Sequence, residues 1–299
     1  MGNVDYVGTK STHLNVLSDL NQPVLTNGEP IPFDPVTLKQ VNPFPNFGYI
    51  EYQGANGFGV YHGLETGLEG RFSKGFAIHA AYTFSRSIDN TPQELENNNS
   101  GAAQKGFDYA SWKSVSDFDT PHRFVASYSY DLPFGKGQAM LQSGILSYII
   151  GGFRTSGVYT YASGRPFTVT SGTGSVIDAN GAATAMPFLA GPEHVFGNVN
   201  GWFDTSAYRI RKAANLEYYG DFGRNTLRGP STNVFDFALL KDFPIQERTN
   251  LQFRWEVFNL FNYALFGQPT SNLSSGSVGQ ISSLAGDPRL MQFALRLSF

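Results

Sequence analysis

Arg289-Leu290-Met291-Gln292-Phe293-Ala294-Leu295-Arg296-Leu297-Ser298-Phe299 is the stretch that decides the fold. Met291, Phe293, Leu295, Leu297 and Phe299 alternate with Gln292, Ala294, Arg296 and Ser298. Successive side chains of a strand point to opposite faces, so one face of this segment is continuously apolar and the other is polar or small. The alternation runs to the last residue, an aromatic. A final strand of this kind fits a membrane β-barrel, in which the last strand must pair with a neighbour inside the hydrocarbon layer. The competing reading is the last strand of a soluble sandwich.

Composition narrows the choice. Hydrophobic residues make up 41% of the 299, the mean hydropathy is −0.23, and no apolar run approaches the ~18 residues of a spanning helix. The clearest cluster, Ile145-Leu146-Ser147-Tyr148-Ile149-Ile150, reaches about a third of that length. A barrel escapes hydropathy detection because only alternate residues meet lipid. The 26 Phe and 15 Tyr suit the aromatic girdles of a barrel, and the 33 Gly favour strands and turns over helices. A net charge of −3 gives no nucleic-acid footprint. With no cysteine, disulfides, thiolate metal sites and Cys nucleophiles are excluded.

The same period of two recurs along the chain. In 58–72, Val60, Leu64, Leu68 and Phe72 share one face; Glu65, Glu69 and Arg71 lie on the other. Ser73-Lys74-Gly75 is a turn, and Phe76, Ile78, Ala80, Tyr82 and Phe84 continue the apolar face of a hairpin. A polar loop fills 87–120. Strand 122–132 sets Phe124, Ala126, Tyr128 and Tyr130 against Arg123, and a short turn follows at Pro133–Gly137. Strands are expected near 149–161 and 165–170, then a Gly/Ala-rich loop to about 200. Residues 201–233 are ambiguous. Val234–Lys241 and 249–258 are strands around a turn at Asp242–Arg248, and 262–287 is a Ser/Gly/Asn-rich loop. Met1–Gly8 has no basic or long apolar region of a signal peptide and reads as mid-strand.

Strand, short turn, strand, long loop is the layout of an outer-membrane barrel, with short periplasmic turns and long extracellular loops. Glu65, Glu69, Arg71, Arg123, Arg154, Arg254, Glu256 and Arg296 all fall on polar faces. A small closed core could not hold that many charges, whereas a wet or protein-filled lumen can. These eight are therefore expected to face the lumen.

Four segments carry a family resemblance: Ala81-Tyr82-Thr83-Phe84-Ser85-Arg86-Ser87-Ile88-Asp89, Asp119-Thr120-Pro121-His122-Arg123-Phe124, Gly223-Arg224-Asn225-Thr226-Leu227-Arg228-Gly229-Pro230 and Phe253-Arg254-Trp255-Glu256-Val257-Phe258-Asn259-Leu260-Phe261-Asn262. Together with Tyr6–Leu14, they resemble the C-terminal half of the Oar-like TonB-dependent receptors. The resemblance implies that residues 1–299 are the C-terminal part of a receptor barrel, about 8–12 antiparallel strands of a 22-stranded type. The plug, TonB box and signal peptide are expected to lie outside these residues. Phe293, Leu295, Leu297 and Phe299 likewise resemble the terminal-Phe signal read by the barrel-assembly machinery.

No catalytic constellation emerges. Asp117, Asp119 and His122 fit turn chemistry before Pro121 better than a metal site, and the five histidines lack ligand spacing. Ser171–Ser175 lacks the lysine of a phosphate loop. Glu65 and Glu69 could imitate a glycosidase pair, but solvation in a lumen explains them. Gly223–Pro230 reads as a loop that pins strands together, with anion binding by Arg224 and Arg228 as the alternative. Trp112, Trp202, Tyr218 and Tyr219 are candidates to stack on a flat ligand at the outer loops. The expected protein is not an enzyme and has no cofactor or metal. It sits in outer-membrane lipid and takes up or binds a nutrient, a glycan or a peptide, with the TonB complex engaged through other parts of the receptor. A structural or adhesive barrel and a soluble carbohydrate-binding module are the alternatives.

Overall fold

A computed structural model describes residues 1–21, 25–26, 29–30, 44–48, 50–72, 75–91, 109–171, 186–210, 223–246 and 249–299. Eight long strands dominate: β1 (Gly2–Asp19), β2 (Glu51–Phe72), β3 (Phe76–Asp89), β4 (His122–Asp131), β5 (Phe153–Ala162), β6 (Thr232–Gln246), β7 (Thr249–Phe258) and β8 (Leu290–Ser298). Each pairs antiparallel with the next in chain order. The short strand Ser114–Val115 joins the end of β3 and makes the sheet nine-stranded. Because the strands run up and down in sequence, the connections β1–β2, β3–β4, β5–β6 and β7–β8 gather at one end and the three others at the opposite end. The longer set is the extracellular one by the usual asymmetry of outer-membrane barrels.

The pairing register carries the apolar face across all eight strands. Leu64 lies opposite Tyr6 and Phe84, Tyr82 opposite Phe124, and Phe124 opposite Tyr161. Phe235 lies opposite Tyr159 and Leu239 opposite Trp255. Trp255 is opposite Phe293, and Phe253 opposite Leu295. Gly157 sits among these aromatics for a steric reason: a Cβ there would lie 2.7 Å from the Tyr128 ring and 2.9 Å from that of Phe235. Phe293 and Leu295 keep 68% and 71% of their surface exposed. Burial among protein atoms does not explain such a face, whereas lipid does.

Four expectations need correction. The strand expected at 149–161 begins at Phe153, because Ile145–Ile150 form a short helix, α1. The connection from β4 to β5 is no five-residue turn but spans 132–152, with Phe134 bridged to Met140. Lys241, on the apolar face, donates from Nζ to the carbonyls of Tyr148 (2.7 Å) and Ile149 (2.5 Å) at the end of α1, with its ammonium over the rings of Phe153 and Phe243. The turn expected at Asp242–Arg248 is strand as far as Gln246, which pairs with Thr249. Pro244 is tolerated there because β6 pairs with β5 only to Lys241, so the missing N–H falls on a free side. Finally, 165–170 is strand only at Pro166–Phe167. Ser73 and Lys74 of the expected hairpin turn lie outside the described residues, but Phe72 pairs with Phe76 across it and Gly75 takes a φ of 74°.

A charge placed on the lipid face tests this register. Leu295→Arg should destabilise the assembled protein by about 2–4 kcal/mol. Arg296→Gln, one residue along on the polar face, should cost under about 1 kcal/mol. Urea unfolding in lipid vesicles compares the two.

Candidate functional site at the extracellular loops

The polar face of the sheet carries all eight charges expected there. Glu65, Glu69 and Arg71 alternate with Leu64, Leu68 and Phe72 on β2, and Arg123, Arg154, Arg254, Glu256 and Arg296 stand opposite polar-face partners across the register. Some are paired. Arg154 Nε meets Asp131 Oδ1 at 2.5 Å, Arg254 bonds Glu256, and Gln292 donates to the same carboxylate. Arg71 and His79 stand 4.0 and 3.9 Å from Glu69. Among the described residues, Glu65, Arg123 and Arg296 have no ion-pair partner, so this face is built to meet water or more protein.

Above it, the extracellular connections are tied together by Gly223–Pro230. Arg224 is 4% exposed and all five of its N–H donors are used. Nε donates to Trp112 O (3.4 Å), Nη1 to Thr91 O (3.3 Å) and Asp117 Oδ1 (3.1 Å), and Nη2 to Asp89 O (3.1 Å) and to the Asp89 carboxylate. Asn225, held at a φ of 57°, donates from Nδ2 to Val115 O (2.9 Å) and to Asp117, and its N–H donates to Thr168 Oγ1 (3.0 Å). Arg228 donates to Asp119 O and Gly164 O, both at 3.1 Å, and pairs with the Asp119 carboxylate. Asp119 also accepts from the Ser87 N–H at 2.7 Å. This clasp joins the top of β3, the segment before β4, the exit of β5 and the approach to β6. Arg224 is saturated by protein, so the anion-binding alternative finds no free donor there, whereas Arg228 makes three bonds with its five donors and stays partly exposed.

The same reasoning disposes of the acidic residues near His122. Asp117 and Asp119 are committed to Arg224, Asn225 and Arg228. His122 Nδ1 lies 2.8 Å from Tyr82 Oη. No metal-type cluster of three exists among the described residues.

A small apolar core of Phe167, Val169, Phe203, Ala207, Tyr208 and Leu227 sits beside the clasp, flanked by Trp202, Leu273 and Val278. Tyr208 donates its hydroxyl to Glu193 Oε1 at 2.9 Å. Burial, and then the Glu193 carboxylate, raise its pKa above the ordinary phenol value. Asp204 accepts from the Ser206 hydroxyl and N–H, which lower its carboxyl below the usual range and fix the short helical turn 205–207.

Two of the candidate ligand aromatics are packing residues. Trp112 is 6% exposed, against Met186 and the Arg224 guanidinium, and Trp202 donates from Nε1 to Arg228 O at 2.8 Å. Tyr218 and Tyr219 lie outside the described residues. The aromatics that do reach solvent include Phe118 and Phe196. Phe196 is carried on a hairpin of Val195–Asn198 with Gly201–Phe203. A lone Phe in a loop gives no periodic signal, so the sequence does not single it out.

Comparison with known proteins places this architecture. Residues 1–292 match the model of the outer membrane beta barrel domain family, and the chain belongs to that family. It is therefore a protein of the bacterial outer membrane, and the soluble-module reading is set aside. No curated protein matches the sequence. Among solved structures, it is similar to the Escherichia coli outer membrane transporter YddB (10% identity, TM-score 0.47), over 99% of this chain and 30% of that one. It is also similar to Pseudomonas aeruginosa FpvA, solved bound to heterologous pyoverdines (14% identity, TM-score 0.41), over 100% of this chain and 27% of that one. The chain thus spans under a third of either protein.

Arg224→Ala would leave Asp89 buried without its cation, at a cost of about 3–5 kcal/mol. The expected result is faster proteolysis and faster amide exchange in 109–121 and 223–231, with strand content by circular dichroism unchanged. Arg224→Lys should rescue little, since a single ammonium cannot replace a five-donor fork.

Proposed function

We propose that this chain is the C-terminal sector of an Oar-like TonB-dependent receptor, and that its loops and polar face take part in energy-coupled uptake of a nutrient, a glycan or a peptide. The observation that supports this reading most is the polar face itself. Eight strands closed on themselves leave room only for packed side chains. Yet, among the described residues, Glu65, Arg123 and Arg296 stand on that face without ionic partners, and β1 and β8 do not pair with each other. A larger barrel around a protein plug satisfies both features: further strands cover the two edges, and the plug and water meet the charges.

In this reading the barrel does no bond chemistry. Ligand is captured by the outer loops, on surfaces such as the Phe196 hairpin, while the Arg224–Arg228 clasp keeps the loops from collapsing over the entrance. TonB acts on parts of the receptor beyond this sector, and the β8 strand with Phe293, Leu295, Leu297 and Phe299 is read by the barrel-assembly machinery.

Uptake assays on whole cells test the proposal. Cells carrying the intact gene should accumulate labelled oligosaccharides or peptides from a mixed panel, and accumulation should cease on deletion of tonB or addition of a protonophore. Surface adhesion that depends on the gene, with no TonB-dependent accumulation of any panel member, would favour the adhesive alternative.

A further inference from the structure

The apolar face of β1–β4 changes character at its extracellular end. Its outward positions run from Gly2 to Thr12 on β1, Phe58 to Phe72 on β2, Phe76 to Ile88 on β3 and His122 to Tyr130 on β4, as fixed by the pairing register. No carboxylate occurs among them. The charged or titratable bases among them are Lys10, His62, Arg86 and His122, one per strand, gathered toward the extracellular end, with Phe58, Val60 and Ile88 further out. All four are exposed.

They are also neighbours. His62 lies directly opposite Arg86. Lys10 is opposite Val60 and thus diagonal to His62, and His122 is opposite Phe84 and diagonal to Arg86. Such cross-strand and diagonal positions are within reach of long side chains. Both imidazoles are oriented by tyrosines: His62 Nδ1 is 2.6 Å from Tyr6 Oη and His122 Nδ1 is 2.8 Å from Tyr82 Oη. Nε2 of each ring has no protein partner among the described residues. Lys113 extends the patch, with its ammonium 5.7 Å from the centre of the Phe58 ring.

The contrast within the same face is informative. On β5–β8 the corresponding extracellular ends carry Tyr161, Asn233, Val257 and Met291; the cation within those strands, Lys241, lies at the periplasmic end and is consumed by the carbonyls of α1, and Arg289, just before β8, donates to Leu260 O. Lys10 and Arg86 have no carboxylate partner among the described residues. Two cations and two imidazole rings, adjacent on a lipid-facing surface at the height of one leaflet's headgroups, call for a multivalent anion held in that leaflet.

We propose that Lys10, His62, Arg86 and His122 form a binding site for the phosphorylated headgroup of an outer-leaflet glycolipid, seated against β1–β4. The acyl chains would lie along Leu64, Leu68, Phe84 and Phe124, continuous with the rest of the lipid belt. The site is independent of the nutrient that the receptor carries.

The test uses the intact protein purified from the outer membrane and exchanged into phosphatidylcholine nanodiscs. Bisphosphorylated lipid A and its dephosphorylated form are titrated, and bound lipid is counted by native mass spectrometry. The phosphorylated form should bind at least about tenfold tighter. The double substitution Lys10→Gln and Arg86→Gln should weaken it by roughly 10- to 30-fold, at about fivefold per cation near a membrane surface. Lys136→Gln, a cation at the periplasmic end, should change nothing. Charge-retaining Lys10→Arg with Arg86→Lys should keep binding, and heat-modifiable migration verifies assembly of each variant. Equal binding of the two lipids, or wild-type binding by the Gln variant, would overturn the proposal. So would complete displacement of the lipid by inorganic phosphate, or a lipid-free dimer broken by the Gln variant, which would put a second copy on this face.

Discussion

Inside hydrocarbon there is no water to satisfy a peptide group, and this constraint orders the whole structure. A sheet meets it only by pairing every strand on both sides. Among the described residues, six interior strands are paired on both sides, while β1 and β8 each have one neighbour. Once pairing fixes the backbone, the period of two does the rest. Each strand has one face for lipid and one for the interior, and a slip of one residue would exchange them. The unbroken row from Tyr6 to Phe293 on one face and from Glu65 to Arg296 on the other shows that no such slip occurs in the middle of the sheet; the register shifts only near the strand ends, after Thr12 and after Pro244.

Those two faces place different demands on the ends of the sheet. On the periplasmic side two of the three connections are short, after Phe72 and after Gln246, and the third, 132–152, carries α1. On the extracellular side it supports long connections, and these have their own stabilising elements: the Arg224 and Arg228 clasp, and the apolar core around Phe203. A fully buried guanidinium with five partners is a rigid joint, because loss of any partner leaves an unpaired charge or polar group. Such a joint keeps the long connections in one arrangement above the sheet. The buried Arg224 therefore belongs to loop architecture.

Much of this was legible in the residues. Strands with uninterrupted alternation, such as β3, β7 and β8, are plain in the sequence, and so is the assignment of the eight strand charges to a polar face. The misses have physical causes. The bulge around His13, at a φ of 60°, shifts the register between Thr12 and Val16 and hides the far ends of β1 and β2. The run Ile145–Ile150 is apolar on all sides, so periodicity cannot tell helix from strand; what makes it a helix end is Lys241, nearly a hundred residues away. Pro244 looks like a turn residue until β6 is known to have no partner on that side. The loop clasp was readable only as a local motif, since Asp89, Asp117 and Asp119 reach Arg224 and Arg228 through tertiary contacts that no spacing reveals. Trp112 and Trp202 looked like ligand platforms because type alone does not report burial.

The central claim is that odd-numbered residues of β8 face lipid and even-numbered ones face the interior. Spin labels placed one at a time from Met291 to Leu297, in the protein assembled in vesicles, test it most directly. Collision with oxygen dissolved in the bilayer should peak at 291, 293, 295 and 297, and collision with an aqueous nickel chelate should peak at 292, 294 and 296. A profile without alternation, or with aqueous access at 293 and 295, would contradict a membrane-spanning strand and with it the barrel.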